Sequence, residues 1–168
     1  LGRAVADGRD MLARQRMQEA ATLAGFAIDS AGTGLAHNIG HALGSLHHVP
    51  HGVAVAVGLD ASIEWTVSQT PRVFDDIAHA MGHDSRADHL PGLYRAWLAE
   101  LGSEWIERAL GHIQLDARRV AETMRAPENA PMAANNARQP DDDDVAALAE
   151  STLTSADAHR SSPLQAAT

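Results

Sequence analysis

Three histidines, His37, His41 and His51, are the residues of this chain best placed to do chemistry. They stand in Gly34-Leu-Ala-His37-Asn-Ile-Gly-His41 and, shortly after, Val49-Pro50-His51-Gly52. Side chains four apart on a helix lie one above the other, so His37 and His41 share a face. Pro50 and Gly52 flank His51 in a rigid turn that can aim its ring back at that pair. Neutral imidazole is the commonest metal ligand and carries protons near neutral pH. Two or three imidazoles without a thiolate suit Zn²⁺ or Fe²⁺, with a carboxylate expected as a further ligand. The zinc-protease pattern is excluded, because no Glu follows His37 to act as base. No nearby acid has convincing spacing, and Asp29 and Asp60 are the acids left to complete a shell within the chain. The other histidines have ordinary accounts. His79, His83, His89, His112 and His159 read as core or surface residues, and His47 and His48 as the outside of a turn.

A helix from about Thr33 to Ser45 must carry the first pair. Leu35, Ile39, Leu43 and Leu46 fall on its opposite side and anchor it to a core. Ala36, Gly40 and Gly44 run between the two faces, where small side chains admit another backbone or a flat cofactor. Glycine inside a helix costs about 0.5–1 kcal/mol relative to alanine, so Gly40 and Gly44 want a reason. Tight helix packing and a cofactor contact both supply one.

The remaining elements also read as helices. Asp10 to Ala31 has apolar and small residues at helical spacing, with Asp7 or Asp10 as cap and Gly32 as stop. Val53 to Val57 alternates like a strand, yet the run to Trp65 suits a buried helix equally well. Thr70-Pro71 opens a helix with Val73, Phe74, Ile77 and Met81 as its apolar stripe and Gly82 as stop. Pro91 opens another, with Leu93, Trp97, Leu98 and Leu101 inward and Gly102 at its end. Asp116 caps a short helix containing Val120 and Met124. Residues 126–140 read as a loop. Asp141 to Asp144 suit a helix N-terminus, with Val145, Leu148 and Leu153 following. The fold class is therefore all-α, a bundle of five to seven helices. One domain covers 1–154, and 155–168 are expected to form a disordered tail.

Composition narrows the function classes. A length of 168 residues and 45% hydrophobic content permit one domain with a real core. A net charge of −9 argues against nucleic acid. No apolar run reaches the roughly 18 residues of a membrane span, so a soluble, cytoplasmic protein is expected. Cysteine is absent, which removes disulfides and thiolate metal sites. Leu1 is an unusual first residue, and truncation of a longer chain is the expectation it raises.

The histidine segment resembles the signature of the iron-containing (group III) alcohol dehydrogenases, Gly-x-x-His-x-x-x-His followed by Pro-His-Gly. Leu1 to Asp10, Ala24-Gly25-Phe26-Ala27 and Asn135-Asn136-Ala137-Arg138 with the acidic helix after it resemble further segments of that family, covering roughly 1–154. The resemblance implies the helical C-terminal domain of a fold shared with dehydroquinate synthases. It implies that His37 and His51 are metal ligands, that His41 lies beside nicotinamide and substrate and helps move a proton, and that the metal is Fe²⁺ or Zn²⁺. The reaction implied is reversible hydride transfer between an alcohol and NAD or NADP, giving an aldehyde or ketone, in an enzyme that is a homo-oligomer when complete. Two expected ligands, in an Asp-x-x-x-His pattern, are missing from this sequence, as is any Gly-rich dinucleotide fingerprint. Val55, Asp60 and Thr66 also replace the Asn, Pro and Asn usual in the family. The 168-residue chain alone is accordingly expected to be inactive. A stand-alone helical metal-binding module and a dehydroquinate synthase-like lyase are the alternatives.

Overall fold

The computed structural model describes residues 1–81, 86–102 and 104–160, and among them every regular element is helical. The helices are α1 (Gly2–Ala6), α2 (Met11–Ala31), α3 (Leu35–His47), α4 (His51–Gln69), α5 (Pro71–Ala80), α6 (Leu90–Glu100), α7 (Glu104–Leu110), α8 (Ala117–Met124), α9 (Ala130–Ala134) and α10 (Asp142–Arg160), with short 3₁₀ turns before α6 and α9. The fold class is as expected, with more helices than the sequence pattern resolved, because α1, α7 and α9 have 5 to 7 residues each.

Local chemistry explains the main boundaries. Asp10 caps α2 by accepting from the Ala13 N–H, and Gly32 ends it at φ 72°. Asp116 caps α8 through the Arg118 and Arg119 amides. Val53 to Val57 is helix, not strand. Ala54, Val57, Gly58 and Ala61, spaced by three and four, are among the buried positions of α4.

α3 and α4 pack most extensively on each other and form the centre, with α10 across α4 and α8. The main core joins Leu35, Ile39 and Leu43 of α3 to Ala54 and Val57 of α4, Ile106 and Leu110 of α7, Val120 and Met124 of α8, and Val145 and Leu148 of α10. A second cluster gathers Ile63, Val67, Ala78, Ala87 and Leu90, with Phe74 and Leu93 packed against it.

The small residues between the faces of α3 serve this packing. A Cβ on Gly40 would sit 2.8 Å from Val55 Cγ2 and 3.1 Å from the Val55 backbone nitrogen. Gly40 is buried against α4, so the backbone that approaches it is that of α4, and helix packing supplies a reason for this glycine. Across the same seam, a Cβ on Gly58 would overlap the Ala36 carbonyl oxygen. Gly58→Ala is therefore expected to lower stability by about 1–3 kcal/mol, as overpacking in a filled core does. Urea denaturation would read this, with Gly52→Ala as control because a Cβ at Gly52 meets nothing.

Three expectations fail at the periphery. On α5 only Phe74 and Ala78 reach the second cluster, whereas Val73 is 58% exposed and Met81 50%. α6 turns Leu98 inward but leaves Trp97 exposed. The supposed tail is helix as far as Arg160, with Ser155 and Ala156 buried, because Asp60 of α4 and the Ile113 carbonyl after α7 hold this end of α10. Gly82, expected to end α5, and the remainder of the tail, 161–168, lie outside the described residues, as does His83.

Candidate functional site

The helix that carries His37 and His41 is held from both ends and from beneath. Asn135 donates to the carbonyls of Ala31 and Thr33, at 2.7 and 3.2 Å, and Asn136 Oδ1 accepts from the Leu35 N–H. These contacts fix the entry into α3. Asn38, fully buried between the two histidines, donates to the carbonyls of Met124 and Asn129 at 3.0 and 3.1 Å. That anchor, with Leu35, Ile39 and Leu43 in the core, sets the rotation of α3 and turns the imidazoles away from the interior. At the other end His48 takes a left-handed conformation, φ 55°, and its N–H caps Gly44. The chain then re-enters helix at His51 after Pro50.

This turn brings His51 back to the pair. The His37 and His51 ring centroids are 5.4 Å apart, and those of His41 and His51 are 5.9 Å apart. His37 is half-buried and the other two are exposed. Burial lowers the His37 pKa, helped by the neighbouring His51 and His41, so its ring stays neutral and its nitrogen lone pair free at neutral pH. His48 is exposed as expected, whereas His47 is half-buried against Arg119. Gly44 remains beside the site, one turn beyond His41, with only the Val49 carbonyl near the position of an added Cβ.

The donor chemistry suits a borderline divalent ion, since imidazole nitrogens bind Zn²⁺ and Fe²⁺ alike. Its number does not, because among the described residues no three metal-ligating side chains are grouped to hold an ion. His37 and His51 would thus supply only part of a shell. Neither candidate acid completes it. Asp29 is exposed on α2, and Asp60 is buried and engaged elsewhere.

Residues 1–153 match the C-terminal part of the Fe-containing alcohol dehydrogenase family. The chain belongs to this family. Similar relatives include the 1,3-propanediol dehydrogenase of Klebsiella pneumoniae, 42% identical over 84 residues, which are 50% of this chain and 22% of that protein. The choline dehydrogenase of Bacillus subtilis is 40% identical over 83 residues, 49% of this chain and 21% of the relative. The NAD-dependent methanol dehydrogenase of Bacillus methanolicus is 32% identical over 108 residues, 64% of this chain and 27% of the relative. The matched stretch is thus about a quarter or less of each relative's length. No solved structure gives a significant match. Among the described residues no helix is long and apolar enough to cross a membrane.

Sequence reasoning missed a second polar cluster. Asp60, 3% exposed in the middle of α4, accepts from Arg95 Nε of α6 at 2.7 Å and from the Ser155 hydroxyl of α10. His159 Nε2 lies 3.4 Å from the same carboxylate without hydrogen-bond geometry. The available signal was an acid inside the largely apolar run from Val53 to Ile63. Arg138 was legible as part of a loop and of a family-like segment, but not for its contacts: it binds Gln69 and Asp144 and stacks on Trp65, joining the end of α4 to the start of α10.

Proposed function

We propose that this chain is the helical metal-binding portion of an NAD(P)-linked alcohol dehydrogenase that interconverts alcohols with aldehydes or ketones. The observation that carries the reading is the approach of the His37 and His51 rings, within a chain of the iron-containing family. His37 and His51 hold Fe²⁺ or Zn²⁺ together with donors from elsewhere in the polypeptide. The bound metal supplies Lewis acidity, polarising the alcohol oxygen and lowering its pKa. His41, exposed and next to His51, accepts the alcohol proton through solvent and releases it, and Gly44 leaves room for the nicotinamide. The similarity to an NAD-dependent methanol dehydrogenase supports NAD as the hydride carrier.

The chain alone is inactive in this reading. Hydride transfer needs the nicotinamide carbon and the substrate carbon held in contact, and no dinucleotide-binding element stands among the described residues. The test grafts residues 1–153 in place of the corresponding C-terminal region of the Klebsiella 1,3-propanediol dehydrogenase and follows nicotinamide absorbance with short alcohols and diols. The graft should turn over while the chain alone does not. His41→Ala in the graft should keep the metal and slow turnover about 10²–10⁴-fold, the usual contribution of a positioned acid–base group. Tight stoichiometric Fe²⁺ or Zn²⁺ binding by the chain alone would instead favour the stand-alone metal-binding module.

A further inference from the structure

The helix that carries His37 begins without a capping side chain of its own. Its N-cap is Gly34, which has no side-chain oxygen to offer. The oxygen comes instead from Asn136, 101 positions later, whose Oδ1 accepts from the Leu35 N–H at 3.3 Å. The glycine and the distant cap require each other. A Cβ on Gly34 would stand 2.8 Å from that Oδ1 and 3.2 Å from the Asn135 carbonyl oxygen. A residue able to cap α3 locally would therefore displace the loop that caps it now.

The other half of the Asn136 amide is turned to α9. Its Nδ2 donates to the Met132 and Ala133 carbonyls at 3.0 and 2.9 Å. Acceptor and donor are both used, so one short side chain joins the start of α3 to the end of α9. Asn135 beside it holds the Ala31 carbonyl at the end of α2.

This link sets where the first turn of α3 stands, and His37 is the third residue of that helix. The His37 N–H bonds to the Gly34 carbonyl at 3.0 Å, so the ring follows any shift of Gly34. His51 is placed separately, by Pro50 and the start of α4. The approach of His37 to His51 thus depends on the N-terminus of α3. His41 lies one turn further on, between the buried Ile39 and Leu43, and depends on it less.

We propose that Asn136 is a positioning residue of the histidine site: it caps α3 from α9 and so sets the distance between His37 and His51. Its role in metal binding rests on the dehydrogenase reading, whereas its role in the geometry does not.

The 168-residue chain tests the geometry without a metal. Nuclear magnetic resonance should show ring-proton Overhauser contacts of His51 with both His37 and His41, whose centroids lie 5.4 and 5.9 Å from it. Asn136→Ala is expected to lose the His37 contact and keep the His41 contact, with unchanged helical circular dichroism. Asn136→Asp keeps an acceptor for the Leu35 N–H, at a helix end that favours negative charge, and should keep both contacts. Asn136→Gln, one methylene longer, keeps both kinds of bond but lengthens the link, and should weaken the His37 contact in a folded chain. Asp116→Ala removes the cap of a different helix, α8, and should keep both contacts.

In the propanediol dehydrogenase graft, Asn136→Ala should weaken Zn²⁺ binding about tenfold or more, the scale on which groups that orient metal ligands contribute. Competition with a chromophoric chelator reads this, and Asp116→Ala should bind as the parent does. A His37 contact that survives in both Asn136→Ala and Asn136→Gln would overturn the proposal. Equal losses in Asn136→Ala and Asp116→Ala would overturn it too, as would an Asn136→Asp variant no better than Asn136→Ala. Unchanged Zn²⁺ binding by Asn136→Ala, in a graft that loses metal without His37 and His51, would overturn the metal role alone. A graft that keeps its metal without those two histidines overturns the ligand reading itself, and the metal role of Asn136 with it.

Discussion

Replacing His37 and His51 together by alanine is expected to abolish metal retention by the propanediol dehydrogenase graft, and its hydride transfer with it. Metal–nitrogen bonds to imidazole are about 2.0–2.1 Å, so two rings with centroids 5.4 Å apart are near enough to bind one ion between them. Loss of residues that merely orient a ligand already costs about 10–100-fold in metal affinity or activity, and loss of two ligands must cost more. Each single variant should retain less metal than the parent, and the double variant none above background. His48→Ala is the control, because its ring is exposed at the outside of the same turn and it neighbours neither His37 nor His51 in the sequence. Elemental analysis after gel filtration reads retention directly, and nicotinamide absorbance reads the consequence. If the double variant keeps both stoichiometric metal and turnover, His37 and His51 are not the ligands. His41→Ala separates binding from proton transfer, since it should leave the metal in place.

The histidine site was legible in the sequence because its determinants are local. The spacing of His37 and His41 is a property of one helix, and Pro50 places His51 within a few residues of it. The boundaries of α2 were legible for the same reason, since Asp10 and Gly32 act on adjacent turns. What was not legible depends on partners far along the chain. Asn38 looks like any polar residue until the Met124 and Asn129 carbonyls arrive from 86 and 91 positions away. The apolar stripe of α5 fits a helical period, yet α5 lies at the edge and covers its neighbours with only Phe74 and Ala78. Gly40 showed that something approaches closely without showing what, and a flat cofactor and the α4 backbone leave the same trace in a sequence. The residues from Ser155 to Arg160 look too polar to pack, and they are held because their polar groups meet Asp60, 95 positions earlier in the case of Ser155.

That cluster carries the largest stability effect to be expected from one side chain outside the apolar core. Burial alone would raise the Asp60 pKa, but the His159, Ser155 and Arg95 contacts together outweigh it and leave it below the usual carboxylate value. The carboxylate joins α4, α6 and α10, so Asp60→Ala strips partners from three helices at once. Arg95 is 50% exposed and can turn to water, which limits the loss, whereas the Ser155 hydroxyl is left buried and unbonded. A loss of about 2–3 kcal/mol follows, below what an entirely buried ion pair would cost. Asp60→Asn keeps the shape and one acceptor and isolates the charge. A carboxylate whose folded pKa is depressed stabilises the fold above its unfolded pKa, near 3.9, and that contribution disappears as pH falls through the folded value. The stability gap between the parent and Asp60→Asn should accordingly be constant from about pH 5 to 7 and close below about pH 4. Other acids shift the parent curve as well, but they are common to both proteins and cancel in the difference. Urea titrations at half-unit pH steps measure that gap. A gap that persists unchanged at pH 3 would mean that Asp60 acts by shape alone and that its charge does not hold the end of α10.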